Sequence, residues 1–163
     1  MKLYLDTNII IGWFKRMMQS TRNGDEFTVP SVMQFLGSQD DMELFVSNLT
    51  KTEVYRYLKS EWNASPNHSE DIWRTFIKSF EIEYIETAIP AASINNLLSL
   101  CQKTHTKKNT LTNLLHLEIA SNYKLQFLTG EKDLKDRYDQ HYKNVITYSE
   151  LRQKLSGPSH QRP

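Results

Sequence analysis

Apolar and polar positions along the chain follow two rhythms. Short apolar runs at residues 3–5, 44–46, 84–85, 126–128 and 145–147 have the length and residue types of buried strands. Longer stretches between them carry apolar residues at helical spacing, which predicts helices over residues 9–19, 31–36, 51–62, 72–80, 91–101, 111–122, 132–138 and 149–155. Strands that alternate with helices predict an α/β fold, a central parallel sheet of about five strands flanked by helices. Turn chemistry places the breaks at Asn23-Gly24-Asp25, at Asn63 to Asn67 around Pro66, at Pro90 and at Thr129-Gly130. One domain spans residues 1–155, and the tail 156–163, without apolar periodicity, is expected to be disordered.

Composition supports one domain and narrows the compartment. The 163 residues, 39% hydrophobic and 24% charged, suffice for one sizeable core. A lone Cys101 cannot staple the fold internally and is expected in the core. With no basic-then-apolar leader and no long uncharged apolar run, a reducing cytoplasm and no membrane are expected. The formal net charge of +1 supplies no overall basic field, so any RNA binding needs a local patch. Lys103, Lys107 and Lys108 concentrate positive charge in the one short run that offers it, and Lys15, Arg16 and Lys51 are further candidates. The ordinary explanation of such a run is a solvated loop.

Polar residues interrupt the pattern where predicted strands end. Asp6-Thr7-Asn8 follows the first strand, at the edge where open α/β sheets bind ligands. Taken on its own, helix capping by Asp6 or Asn8 is the leading explanation of this stretch, ahead of a metal-binding or catalytic role. After the second strand, Thr50 and Glu53 have capping-box spacing, which puts Glu53 in the first turn of a helix at the same sheet edge. Asn113 lies early in the helix before the fourth strand, and Thr129, Glu131 and Asp133 follow that strand. Acids there also complement a helix dipole. Four such polar groups converge on one sheet edge, the acids among them would repel one another, and a divalent cation with oxygen preference is the economical neutraliser.

In order along the chain, these residues resemble the PIN-domain nucleases, and in particular the VapC-type ribonuclease toxins of toxin–antitoxin pairs. The apolar strand followed by Asp6-Thr7-Asn8, Glu53 after strand two, and Thr129, Glu131 and Asp133 after strand four match the family pattern over most of the chain. The family's third acid falls on Asn113, a departure, and Glu131 stands where Asp or Asn is more usual. Glu118 does not replace the missing acid, because five helical positions rotate it about 140° from Asn113. His116 is read as a core-edge histidine.

The resemblance implies metal-assisted RNA hydrolysis. Mg²⁺ or Mn²⁺ would be held by Asp6, Glu53 and Glu131, with Asn113 a neutral member of the catalytic set and Thr7, Asn8, Thr129 and Asp133 in support. One negative charge fewer than the family quartet favours one loosely held metal over a two-metal clamp. An antitoxin partner and a homodimer are also implied. Trp13, Phe14, Met17, Met18, Tyr55, Tyr57 and Leu58 offer apolar area for such a groove, though core packing accounts for most of them. The competing reading is a catalytically degenerate PIN domain that binds RNA or protein. A phosphatase using Asp6 as nucleophile fits poorly, because Asn8 replaces the general acid that chemistry needs.

Overall fold

The computed structural model describes residues 1–87, 89–90, 93–94, 97, 99–100, 110–138 and 140–156. Five strands form one sheet: β1 (Lys2–Leu5), β2 (Glu43–Ser47), β3 (Glu83–Ile85), β4 (Gln126–Thr129) and β5 (Val145–Thr147). Among the described residues seven helices flank it: α1 (Thr7–Asn23), α2 (Ser31–Gly37), α3 (Asn48–Trp62), α4 (Pro66–Ser79), α5 (Thr110–Asn122), α6 (Lys132–Tyr138) and α7 (Tyr148–Ser156). All pairings are parallel, in the order β3-β2-β1-β4-β5. The chain leaves β1 towards β2 on one side and returns to β4 on the other. The switch point of the sheet therefore lies between the carboxyl ends of β1 and β4, where a crevice opens in folds of this kind.

Period-two alternation splits the strands between two cores. Leu3, Leu5, Leu44, Val46, Leu128 and Ile146 face a core completed by residues of α1 to α4 and α7. Tyr4, Phe45, Phe127 and Val145 face the other, with Leu114 and Leu117 of α5 and Leu134 and Tyr138 of α6. An aromatic group fastens α1 to α4: the Phe14 and Trp73 rings stack at 5.7 Å, and Trp13 and Phe76 approach to 5.1 Å. Such pairs add about 0.5–1.5 kcal/mol each beyond the area they bury. Four of the seven groove candidates, Trp13, Phe14, Met18 and Leu58, are buried here, so their apolar surface is already spent on the core.

Several helices start earlier than the apolar rhythm predicts, because caps rather than periodicity set their ends. α3 starts at Asn48, with the Ser47 hydroxyl accepting from the Leu49 N–H. Glu53 is thus in the second turn, and the capping box expected between Thr50 and Glu53 does not form. The Ser65 hydroxyl accepts from the His68 N–H and Pro66 occupies the first turn of α4, so the helix predicted over residues 72–80 begins at Pro66. Gly24 closes α1 at φ 72°, a left-handed conformation that favours glycine. Cys101, Lys103, Lys107 and Lys108, the tail from residue 157, and much of the helix expected over residues 91–101 lie outside the described residues.

Candidate functional site

Three chain segments meet at the switch point. Asp6 follows β1, and its N–H continues the sheet by donating to the Leu128 carbonyl at 2.9 Å. Backbone geometry makes Asp6 the N-cap of α1, yet its side chain makes no capping hydrogen bond. Its Oδ2 instead accepts from the Thr129 hydroxyl at 2.7 Å. Burial pushes the Asp6 carboxyl above its ordinary value, and the nearby Glu131 charge adds to this, while the Thr129 hydrogen bond and His116 act the other way.

Thr129 Oγ1 is a hub. Besides donating to Asp6 it accepts from Asn8 Nδ2 at 3.1 Å and from the Glu131 N–H at 3.0 Å. Asn8 Oδ1 in turn accepts from the Gly130 N–H at 2.9 Å. The amide of Asn8 therefore ties the turn after β4 to the first turn of α1 instead of capping that helix. Its effect is to hold Glu131 beside Asp6.

Glu53 reaches the same edge from α3. Its Oε2 accepts from the Thr7 hydroxyl at 2.5 Å and lies 2.7 Å from His116 Nε2. His116 is 1% exposed. Its Nδ1 lies 2.8 Å from the Tyr4 hydroxyl, which also contacts Ser47 Oγ at 2.7 Å and Thr50 Oγ1 at 3.3 Å. Facing a carboxylate, Nε2 carries its proton, whereas the Tyr4 hydroxyl can give or take one at Nδ1. Burial pushes the Glu53 carboxyl up, but the hydrogen bond and charge of His116, the Thr7 hydroxyl and the charge of Arg56 outweigh it and hold the carboxyl below its ordinary value.

The other predicted residues stand further out. Asn113 is half-buried on α5, one turn before His116 and on the same helical face. Glu131 and Asp133 are exposed, Asp133 in the first turn of α6. Glu118 is buried in the second core, where its Oε2 accepts from the Tyr142 hydroxyl at 2.7 Å. Among the described residues, no three His, Cys, Asp or Glu side chains converge closely enough to cage a metal ion. The available donors are hard oxygens, which suit a cation bound through one or two carboxylates and several waters.

Sequence reading missed His116, Tyr4 and Arg56. The spacing of His116 from Asn113 was the available signal for the first. Tyr4 carries a polar tip on a strand that otherwise reads as apolar, and Arg56 lies one turn after Glu53 on α3.

No protein-family profile and no curated protein matches this sequence. Solved structures do match. A chain of the VapBC2 complex of Rickettsia felis, bound to a DNA fragment from its promoter, superposes with a TM-score of 0.55 at 18% identity, covering 90% of this chain and 97% of that one. A chain of a toxin–antitoxin complex from Klebsiella pneumoniae gives 0.54 at 21% identity with the same coverage. At these identities the likeness is one of fold: this chain shares with those two the α/β architecture of a parallel sheet flanked by helices that its sequence led us to expect.

Proposed function

We propose that this chain is a Mg²⁺- or Mn²⁺-dependent endoribonuclease and the toxin of a toxin–antitoxin pair. The observation that carries the reading is the carboxylate of Asp6, buried at the switch point of the sheet with Glu131 beside it and Glu53 fixed at the same edge. A protein gains nothing in stability by burying an acid whose ionisation burial opposes. A cation at that edge reverses the penalty, and solved structures of the same fold are toxin–antitoxin complexes.

Asp6 would hold the metal, with Glu53 and Glu131 at the same edge reaching it through bound waters and Asn113 contributing at most a neutral amide oxygen. The bound ion would polarise a phosphoryl oxygen and lower the pKa of a water. Thr129 keeps Asp6 oriented, and Asn8 keeps Thr129 in place. Thr7 and His116 both engage Oε2 of Glu53, so Oε1 is the oxygen left to face a ligand. Arg56, exposed one turn along α3, is a cation suited to the RNA phosphate. The proposed partners are RNA, an antitoxin and a second copy of the chain. No helix among the described residues is long and apolar enough to cross a membrane.

A second reading, a PIN domain that binds RNA or protein without cutting, draws on the neutral Asn113 and on the lack of a three-ligand cage among the described residues. Cleavage assays separate the two. Purified chain freed of any antitoxin is expected to cut RNA in Mg²⁺ or Mn²⁺, and EDTA or Asp6→Asn should abolish cutting. Glu53→Gln, which still accepts from Thr7 and His116, should lower the rate about 100-fold or more, the scale of a lost catalytic group, with the fold intact. Absence of cleavage across diverse RNAs would favour the binding module, and cleavage indifferent to EDTA would remove the metal.

A further inference from the structure

α3 borders a second concave feature. A cleft of about 290 Å³ lies between the N-terminal end of α3, α4 and the edge strand β3, at the small end of the range for ligand sites. Lys51, Arg74 and Lys78 line it against one acid, Glu70. That acid is fully engaged: Oε2 takes Lys51 Nζ at 2.9 Å and the Tyr55 hydroxyl, and Oε1 takes Arg74 Nε at 2.9 Å. The cleft keeps an excess of two positive charges, and exposed Lys78 has no ion pair among the described residues.

Two aromatic residues complete the wall. Tyr84, on the edge strand, is 43% exposed. It meets Trp73 edge-on at 6.0 Å. Trp73 is 2% exposed, and its buried indole N–H stands near the Tyr84 hydroxyl, which ties the Tyr84 ring to the wall of the cleft.

The cleft and the carboxylates flank the same end of α3. Lys51 precedes Glu53 by two residues, which turns it about 200° around the helix. Asn48, at the first turn, is exposed between them and also lines the cleft. A phosphate crossing this end would meet the positive end of the helix dipole. We propose that the cleft is a nucleotide subsite for single-stranded RNA, with the base stacked on Tyr84 and the backbone phosphate met by Lys51, Arg74 and Lys78, next to the position that is cut. This rests on the ribonuclease reading. Cations interleaved with an exposed ring are how proteins grip single strands without reading their sequence.

Binding is best measured where cutting cannot interfere, in the full-length Asp6→Asn chain, by fluorescence anisotropy of an end-labelled single-stranded hexaribonucleotide. Tyr84→Ala is expected to weaken binding about tenfold, the scale of one lost stacked base, and Tyr84→Phe to restore it. Lys78→Ala should flatten the dependence of log affinity on log salt by about 0.7, the value for one phosphate contact on a single strand. Melting temperatures check that each variant is folded, and exposed Lys78 gives a second probe should Tyr84→Ala destabilise. Equal binding by parent, Tyr84→Ala and Lys78→Ala would overturn the subsite, as would failure of the parent to bind RNA. So would an acidic peptide whose binding alone is lost in these variants. Because binding is read without cleavage, a wild-type chain that fails to cut while Tyr84→Ala still weakens binding would sink the nuclease reading and leave the subsite standing.

Discussion

Asp6 holds its carboxylate where burial opposes charge, and this fixes the sign of its effect on stability. A carboxyl whose folded pKa is raised contributes stability that is fully present below its ordinary value and lost as pH rises through the raised one. At neutral pH the ionised, metal-free group therefore costs stability. Asp6→Asn keeps an acceptor for Thr129 and removes the charge, so the metal-free variant should melt higher at pH 7 by about 2–4 °C, which for a domain of this size is about 1 kcal/mol. The gain should vanish below about pH 4, near the ordinary carboxyl value. Thermal scans across pH without metal check this; a lower melting temperature at pH 7 would mean the charge is stabilising and would weaken the case for a cation. Asp6, Thr7, Asn8 and Thr129 were legible because polar residues next to apolar strands break a pattern. His116 and Tyr4 were not: they are 112 positions apart, and a lone histidine on an apolar helix face has no local signature.

Elements were more legible than their ends. The five strands fall where the apolar runs lie, and each grows by at most two residues, because a buried strand in a parallel sheet needs apolar side chains on both faces. Helix starts were less legible, since a capping side chain can sit several residues ahead of the first periodic apolar position. The capping-box alternative for Glu53 fails for this reason, since α3 is capped by Ser47 and Glu53 falls in its second turn. A true capping box opens α7 instead: the Glu150 N–H donates to Thr147 Oγ1 at 3.3 Å, and the Thr147 N–H donates to Glu150 Oε2 at 2.9 Å. Glu150 Oε1 also takes Lys135 Nζ at 2.5 Å, joining α6 to α7. The Lys135 hydrogen bond and the Thr147 N–H hold the Glu150 carboxyl down to about 2. A depressed acid contributes stability above its ordinary value and loses it as pH falls through the depressed one, here between about pH 4.5 and 2. The side chain is 45% exposed, so solvent screening leaves the ion pair little weight and the cap most of it. Thr147→Ala should cost about 1 kcal/mol, the usual value of a cap, and Lys135→Met less than half of that. Denaturant melts of both variants at pH 7 check the ranking, and a larger loss for Lys135→Met would make the ion pair the main fastener.

At the scale of the whole molecule, the sheet separates two cores and the site draws on both. Asp6 and Thr7 come with the face packed by α1, whereas His116 and Asn113 come from α5 on the opposite face, so any ligand that joins them braces the two halves. A parallel sheet was legible from the alternation of strands and helices; the order that brings β1 beside β4 was not, since it is set by long-range pairing. Asn113 is where such bracing is testable. If this position faces the metal, Asn113→Asp adds a fourth acid to an edge already carrying Asp6, Glu53 and Glu131, and the two consequences have opposite signs. Without metal, closer carboxylates repel and stability should fall modestly, by about 1 kcal/mol, the centre of the range for single substitutions. With metal, the added anion should tighten binding, and saturating Mg²⁺ should restore more stability than it adds to the wild type, because a ligand stabilises by RT ln(1 + [L]/Kd). The Mg²⁺ concentration for half-maximal cleavage should fall in step. Glu118→Gln is the control: its carboxylate is held by Tyr142 in the second core, so it should leave Mg²⁺ affinity unchanged even if stability drops. Calorimetric titration of the wild type and both variants decides the matter. Equal Mg²⁺ affinity in the wild type and Asn113→Asp would take position 113 out of the site, and weaker affinity in Glu118→Gln would mean that the second core, not the carboxyl edge of the sheet, reaches the ion.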